Sequence, residues 1–235
     1  MLPPHNYSLP RRLAAEFLGS FVWVAAAILA VCADHTLRAA GAAGTGWLGI
    51  ALAQGLVLAA VTASLAHVSG AVSNPAATLG LWATRRLETV DAAFYFAAQL
   101  AGGAAAAWSA AAALPDAVWR GARLGAPQLA AELTQGPAML VEGAAAFLVV
   151  LAYCAAARED LARRAWAVGA AAAAAVLVAG PLSGAALTPA RALGPAVAAN
   201  VWSDHGVFWV GPLAGGLAAA WVYAKLFAPK SPPPA

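Results

Sequence analysis

The sequence predicts an all-α integral membrane protein with six membrane-spanning helices and two re-entrant half-helices, built as a pair of inverted three-helix repeats. Three observations predict it. Of the 235 residues, 63% are hydrophobic and only 10% are charged, whereas soluble domains carry about 25% charged residues. Six apolar stretches approach the roughly 20 residues needed to cross a bilayer. A twelve-residue segment of the first half returns, with seven identities, in the second.

Composition restricts the class first. Thirteen basic and ten acidic residues cannot supply the polar surface of a soluble domain this size, so long apolar runs must face hydrocarbon or one another. The net charge of +3 comes from basic residues set mostly in pairs between apolar runs. No domain-scale basic patch exists, so a nucleic-acid partner is not expected and the charges read as topology signals. Cys32 and Cys154 fall inside apolar spans and read as small fillers. Arg11 and Arg12 lead directly into a full-length span, so no cleavable signal peptide is expected.

The spans read as 12–33, 47–66, 91–113, 136–157, 165–182 and 207–227. Six crossings return both termini to one side. That side would hold Arg11, Arg12, Arg85, Arg86, Arg158, Arg163, Arg164, Lys225 and Lys230, and the other Arg38, Arg120, Arg123 and Arg191. Nine against four places both termini in the cytoplasm, in a cell membrane. Trp47, Trp119, Trp202 and Trp209 lie near span ends, where an indole suits the headgroup layer. The chain reads as a single domain over 1–235, with repeats at 12–113 and 136–227 and Pro-rich tails at 1–10 and 228–235.

The internal repeat aligns residues 69–80 with 183–194 at a constant offset of 114. Gly102-Gly103 and Gly215-Gly216 follow at nearly the same offset and read as close helix contacts. Glu16 and Glu142 stand near the start of each half. Because each half holds three spans, an odd number, the second must enter from the opposite face. Asn74-Pro75-Ala76 and Thr188-Pro189-Ala190 each read as a helix start, with Asn or Thr as N-cap and Pro at the first helical position. The helices from Pro75 to about Ala83, and from Pro189 to about Asn200, would cover roughly 13–18 Å, half of a 30 Å hydrocarbon core. Non-helical backbone at that depth is tolerated only inside protein or along a water-filled cavity, so two such loops meeting from opposite faces imply a pore. Two positive dipole ends would then converge at the midplane, repelling cations and orienting dipolar molecules.

The stretches HVSGAVSNPAATLG and LSGAALTPARALGP resemble the two signature loops of the aquaporin, or major intrinsic protein, family, and the resemblance runs from about Leu13 to Phe227. It implies a passive channel for water and small neutral solutes, usually homotetrameric, with no catalytic residues, cofactor or metal. It assigns Asn74 and Thr188 to the centre as donors to passing molecules, Thr188 standing where the family has a second Asn. Arg191 becomes one wall of the narrowest constriction, and loop spacing matches Gln54, Val176 and Ala185 to the other three. Water-selective members pair an aromatic with a His there. Val176 and Ala185 are instead small and apolar, similar to branches that pass glycerol, urea or neutral metalloid hydroxides, while Gln54 is typical of neither group. A strictly water-selective pore is the alternative.

The resemblance also gives Glu16 and Glu142 the role of accepting hydrogen bonds from the re-entrant loops. The rival reading is proton coupling in a secondary transporter. His67, just before the first signature, reads as a lining residue of the cytoplasmic mouth, as a pH gate or as a packing side chain. The four His are scattered and no nucleophile, base and oxyanion donor fall together, so an enzyme is not expected.

Overall fold

A computed structural model describes residues 7–156 and 160–228. Arg158 and Lys230, both used in counting charge, and most of the two Pro-rich tails lie outside these residues. The helices in chain order are α1 (Leu9–Ala39), α2 (Gly46–Ser69), α3 (Pro75–Ala83), α4 (Thr89–Ala113), α5 (Asp116–Gly121), α6 (Gln135–Ala156), α7 (Leu161–Ser183), α8 (Pro189–Ala199) and α9 (Val207–Val222). A 3₁₀ turn, Arg123–Gly125, follows α5, and a π turn, Tyr223–Phe227, extends α9.

The six long helices fall on the six predicted spans, and five combine spanning length with high hydropathy. The sixth, α4, has 25 residues, enough for a crossing at 1.5 Å per residue, but Tyr95, Gln99, Gly102, Gly103, Trp108 and Ser109 dilute its apolar character. It buries Tyr95, Gln99, Gly102, Gly103 and Ala106 against its neighbours. Helix α1 is longer than the predicted 12–33. Pro10 sits in its first turn, where a missing N–H costs nothing, so the helix takes the last two residues of the expected tail. At its other end Arg38 pairs with Asp34 one turn back at 2.8 Å, extending the helix beyond the apolar run.

Packing repeats across the halves. α1 lies along α4 as α6 lies along α9, α1 against α2 as α6 against α7, and α3 against α9 as α8 against α4. The remaining major contact, α2 with α7, pairs equivalent helices and is its own symmetry mate. At its centre Gly55 and Gly169 face each other so closely that a Cβ on either would come within 2.6 Å of the other's carbonyl oxygen. On α1 and α4, a bidentate ion pair joins Arg12 to Asp91 at 2.5 and 3.0 Å. Leu52, Leu56, Phe94, Trp108, Val178 and Trp221 are exposed, forming the outward apolar surface that lipid would cover.

Two of the four tryptophans expected at the headgroup layer are placed differently. Trp119 is buried and its indole donates to Asp116 at 3.0 Å. Trp47 packs its ring over Gly180, where a Cβ would lie within 3.0 Å of three ring atoms. Beside them the segment between α4 and α6 folds back over the bundle, through α5, which carries Trp119, the buried Leu124 and a bond from Ala130 N–H to the Leu182 carbonyl at 2.8 Å. Arg164, read as a loop charge, lies inside α7 and is buried. Cys32 and Cys154 are buried free thiols.

Candidate functional site: two half-helices and their loops

Helices α3 and α8 hold nine and eleven residues, about 13 and 16 Å of rise. Each begins at the predicted step. Asn74 Oδ1 accepts from the Ala76 N–H at 2.8 Å, and Thr188 Oγ1 accepts from the Ala190 N–H at a longer 3.4 Å. Both caps are extended in backbone, and Pro75 and Pro189 open the first turn. The tips meet: Asn74 Nδ2 donates to the Leu187 carbonyl at 3.4 Å, across 113 residues of sequence.

The loops feeding the tips share an unusual backbone. Gly70 and Gly184 take φ of 94° and 80°, followed by left-handed Ala71 and Ala185 (φ 44° and 47°), then left-handed Ser73 and Leu187 (φ 48° and 61°). An L-residue in that region is disfavoured by about 1–2 kcal/mol, so four of them must be held from outside. Two buried carboxylates do so. Glu16 accepts from the Ser69 hydroxyl (2.6 Å), the N–H groups of Val72 and Ser73 (3.0 and 2.6 Å) and the Gln99 amide (2.7 Å). Glu142 accepts from the Ser183 hydroxyl (2.5 Å) and the N–H groups of Ala186 and Leu187 (2.9 and 3.0 Å).

The first loop and its half-helix carry further ties whose counterparts, among the described residues, are missing from the second. Thr78 on α3 bonds Gln99 at 3.0 Å, whereas the equivalent positions in the second half are Ala192 and Pro212. Tyr95 donates to the Ser69 carbonyl at 3.1 Å, Arg164 to the Gly70 carbonyl at 2.5 Å and Tyr153 to the Ala71 carbonyl at 3.2 Å. Sequence reasoning missed these partners. Ser69 and Ser183 were available in the repeat itself, but Gln99, Tyr95, Tyr153 and Arg164 share no spacing with it and are brought in by packing alone.

Gln54, Val176, Ala185 and Arg191 are all buried. Neither atom of the Gln54 amide has a protein partner, and the same holds for Nε and Nη1 of Arg191. Buried polar atoms are seldom left unbonded, and ionisable groups inside membrane proteins commonly face the bundle interior or a water-filled cavity. Arg191 lines a cavity of about 160 Å³ together with Val31, Trp47, Gln128 and Gly184. Gln128 and Trp47 were not among the candidates. Gln128 enters because residues 126–130 lie against Gly184, where a Cβ would stand 2.7 Å from Pro127 Cα and Gln128 N, and Trp47 enters from α2 over Gly180. His67 is exposed near the end of α2, with its ring edge-on to Tyr7 at 5.9 Å.

Spanning helices in inverted repeats, with paired half-helices meeting tip to tip, define a membrane transport protein. Residues 5–223 match the major intrinsic protein family, and the chain belongs to that family. It is 40% identical over 226 residues to aquaporin TIP4-4 of Zea mays, covering 92% of this chain and 86% of that protein. It is 35% identical over 184 residues to human aquaporin-4, covering 77% of this chain and 56% of that one. Among solved structures, the aquaglyceroporin of Plasmodium falciparum superposes with a TM-score of 0.78 over 93% of this chain and 97% of that one; at 20% identity the likeness is one of fold.

Proposed function

We propose that the protein is a passive pore for water and for small uncharged solutes such as glycerol, urea or neutral metalloid hydroxides, excluding ions and protons and catalysing no reaction. The observation that carries this reading is the meeting of two half-helix N-termini, in a bundle where the buried Gln54 amide and the Nε and Nη1 atoms of buried Arg191 have no protein partner. Converging positive dipole ends disfavour cations. Arg191 and the Gln54 amide offer donors and an acceptor to a passing molecule, while Val176 and Ala185 leave the remaining walls small and apolar. Arg191 adds a fixed positive charge to the same end. The full use of Glu16 and Glu142 as loop acceptors supports a pore over an ion-coupled transporter, since neither is left to carry a coupling proton. On the family resemblance the assembly is a homotetramer with a pore in each subunit, and the excess of basic residues puts both termini in the cytoplasm.

The test is a stopped-flow series on proteoliposomes challenged with water, glycerol and urea gradients. Water flux together with glycerol or urea entry well above empty vesicles is the expected result; water flux alone would replace the solute reading with a strictly water-selective pore. Solute flux driven by a pH gradient in the absence of an osmotic one would support the transporter. At the centre, Thr188→Asn should keep conduction, because it keeps both cap and donor. Thr188→Val should weaken it, and equal conduction by that variant would show that the hydroxyl makes no contact with passing molecules.

A further inference from the structure

One buried polar group near the centre is used by none of the contacts above. Trp23, on α1, is 1% exposed, and its indole Nε1 has no hydrogen-bond partner. A buried indole N–H ordinarily finds one. Its neighbours on the helix show which way it points. Val24 and Ile28 pack in a cluster with Ala106, Ala107 and Ala190, toward α4 and α8. Trp23, about 100° around the helix from Val24, belongs instead to the cluster of Leu58, Val72, Val176, Ala185 and Leu187. That cluster includes residues of both re-entrant loops, with α2 and α7, and reaches on to α3, α4, α6 and α9, so Trp23 faces the side of α1 on which the two loops meet.

Helix register sets the depth. Gly19 abuts the Ser73 hydroxyl, one residue before the first cap, and a Cβ there would also stand 3.1 Å from Val61 of α2. Trp23 is four residues further along α1, about 6 Å at 1.5 Å per residue. On antiparallel α2, Gln54 is seven residues beyond Val61 in the same direction, about 10 Å. Trp23 therefore stands between the level of the tips and that of Gln54. At the tip the second family Asn is replaced by Thr188, which is shorter and lacks an amide donor.

We propose that Trp23 is a specificity-determining residue of the pore, its indole N–H donating to the oxygen of passing molecules and standing in for the amide donor that Thr188, with only its hydroxyl, lacks. A group that donates and cannot accept favours solutes with an oxygen acceptor, such as water, the urea carbonyl and polyol hydroxyls. This rests on the pore reading above.

The experiment measures water permeability and urea entry, per incorporated channel, for wild type, Trp23→Phe, Thr188→Asn and the double variant. Trp23→Phe keeps an aromatic ring and deletes the donor; flux should fall roughly fivefold, the worth of one net hydrogen bond, with the melting temperature in detergent little changed. Thr188→Asn in the same chain should restore most of it. Wild-type flux in Trp23→Phe overturns the proposal, and so does a loss that Thr188→Asn leaves unrepaired, because that would be an effect of ring shape. If Trp23→Phe incorporates poorly, Trp23→His, which keeps a ring N–H, is compared with Trp23→Leu, and equal flux by these two is likewise contrary. Wild-type vesicles that pass water and no urea would end the solute reading alone, leaving the test to run on water.

Discussion

Glu16→Ala is expected to remove the folded channel from the membrane altogether. The substitution strands four buried donors: the Ser69 hydroxyl, the N–H groups of Val72 and Ser73, and the Gln99 amide. Each unsatisfied buried group costs about 1–3 kcal/mol, and Ala71 and Ser73 lose what holds them in the left-handed region. A total of even about 5 kcal/mol matches the whole stability of many proteins. Glu142→Ala strands three donors in the second loop and should be damaging but milder. Glu16→Gln keeps one acceptor oxygen and should fall between wild type and alanine. Melting curves in detergent and the yield of monodisperse protein would rank the three. If Glu16→Ala conducted water like wild type, the loop would have to be held by something other than this carboxylate.

The second large effect is expected where α2 crosses α7. A methyl on Gly55 would press within 2.6 Å of both the Gly169 carbonyl oxygen and the Ala173 methyl, and one on Gly169 within 2.6 Å of the Gly55 oxygen and the Ala59 methyl. Neither obstacle is a flexible side-chain end, so the helices must separate. Overpacking of this kind costs about 1–3 kcal/mol, and Gly55→Leu should exceed that range and prevent assembly. Gly55→Ala and Gly169→Ala should destabilise by equal amounts, because the contact is its own symmetry mate. Combined, they should cost much less than their sum, since the first separation makes room for the second methyl. Additive losses in a thermal-melting cycle would place the two glycines in independent contacts.

Both predictions concern features that stood at different distances from the primary structure. Glu16 and Glu142 were visible as charges inside apolar spans, where ionisable groups are rare and carry a role. Gly55 and Gly169 were not singled out, because a glycine in a spanning helix has many uses and only contact with a partner distinguishes them. Trp47, Trp119 and Arg164 were misplaced for a related reason. Position near a span end suggests the membrane surface, yet Trp119 is buried in the segment that folds over the bundle, Trp47 packs on Gly180 of α7, and Arg164 reaches the Gly70 carbonyl.

Sequence alone determined the family, the six crossings, the inverted repeat and the starting residues of both half-helices. These depend on local chemistry, namely apolar length against bilayer thickness and an Asn-Pro or Thr-Pro step that caps a helix wherever it stands. Tertiary structure decided which buried groups hold the loops, that the tips meet through Asn74 and the Leu187 carbonyl, and that the Trp23, Gln54 and Arg191 polar atoms are left without protein partners. Such facts join residues up to 113 positions apart, and no periodicity in a chain encodes which of its distant polar groups will find one another.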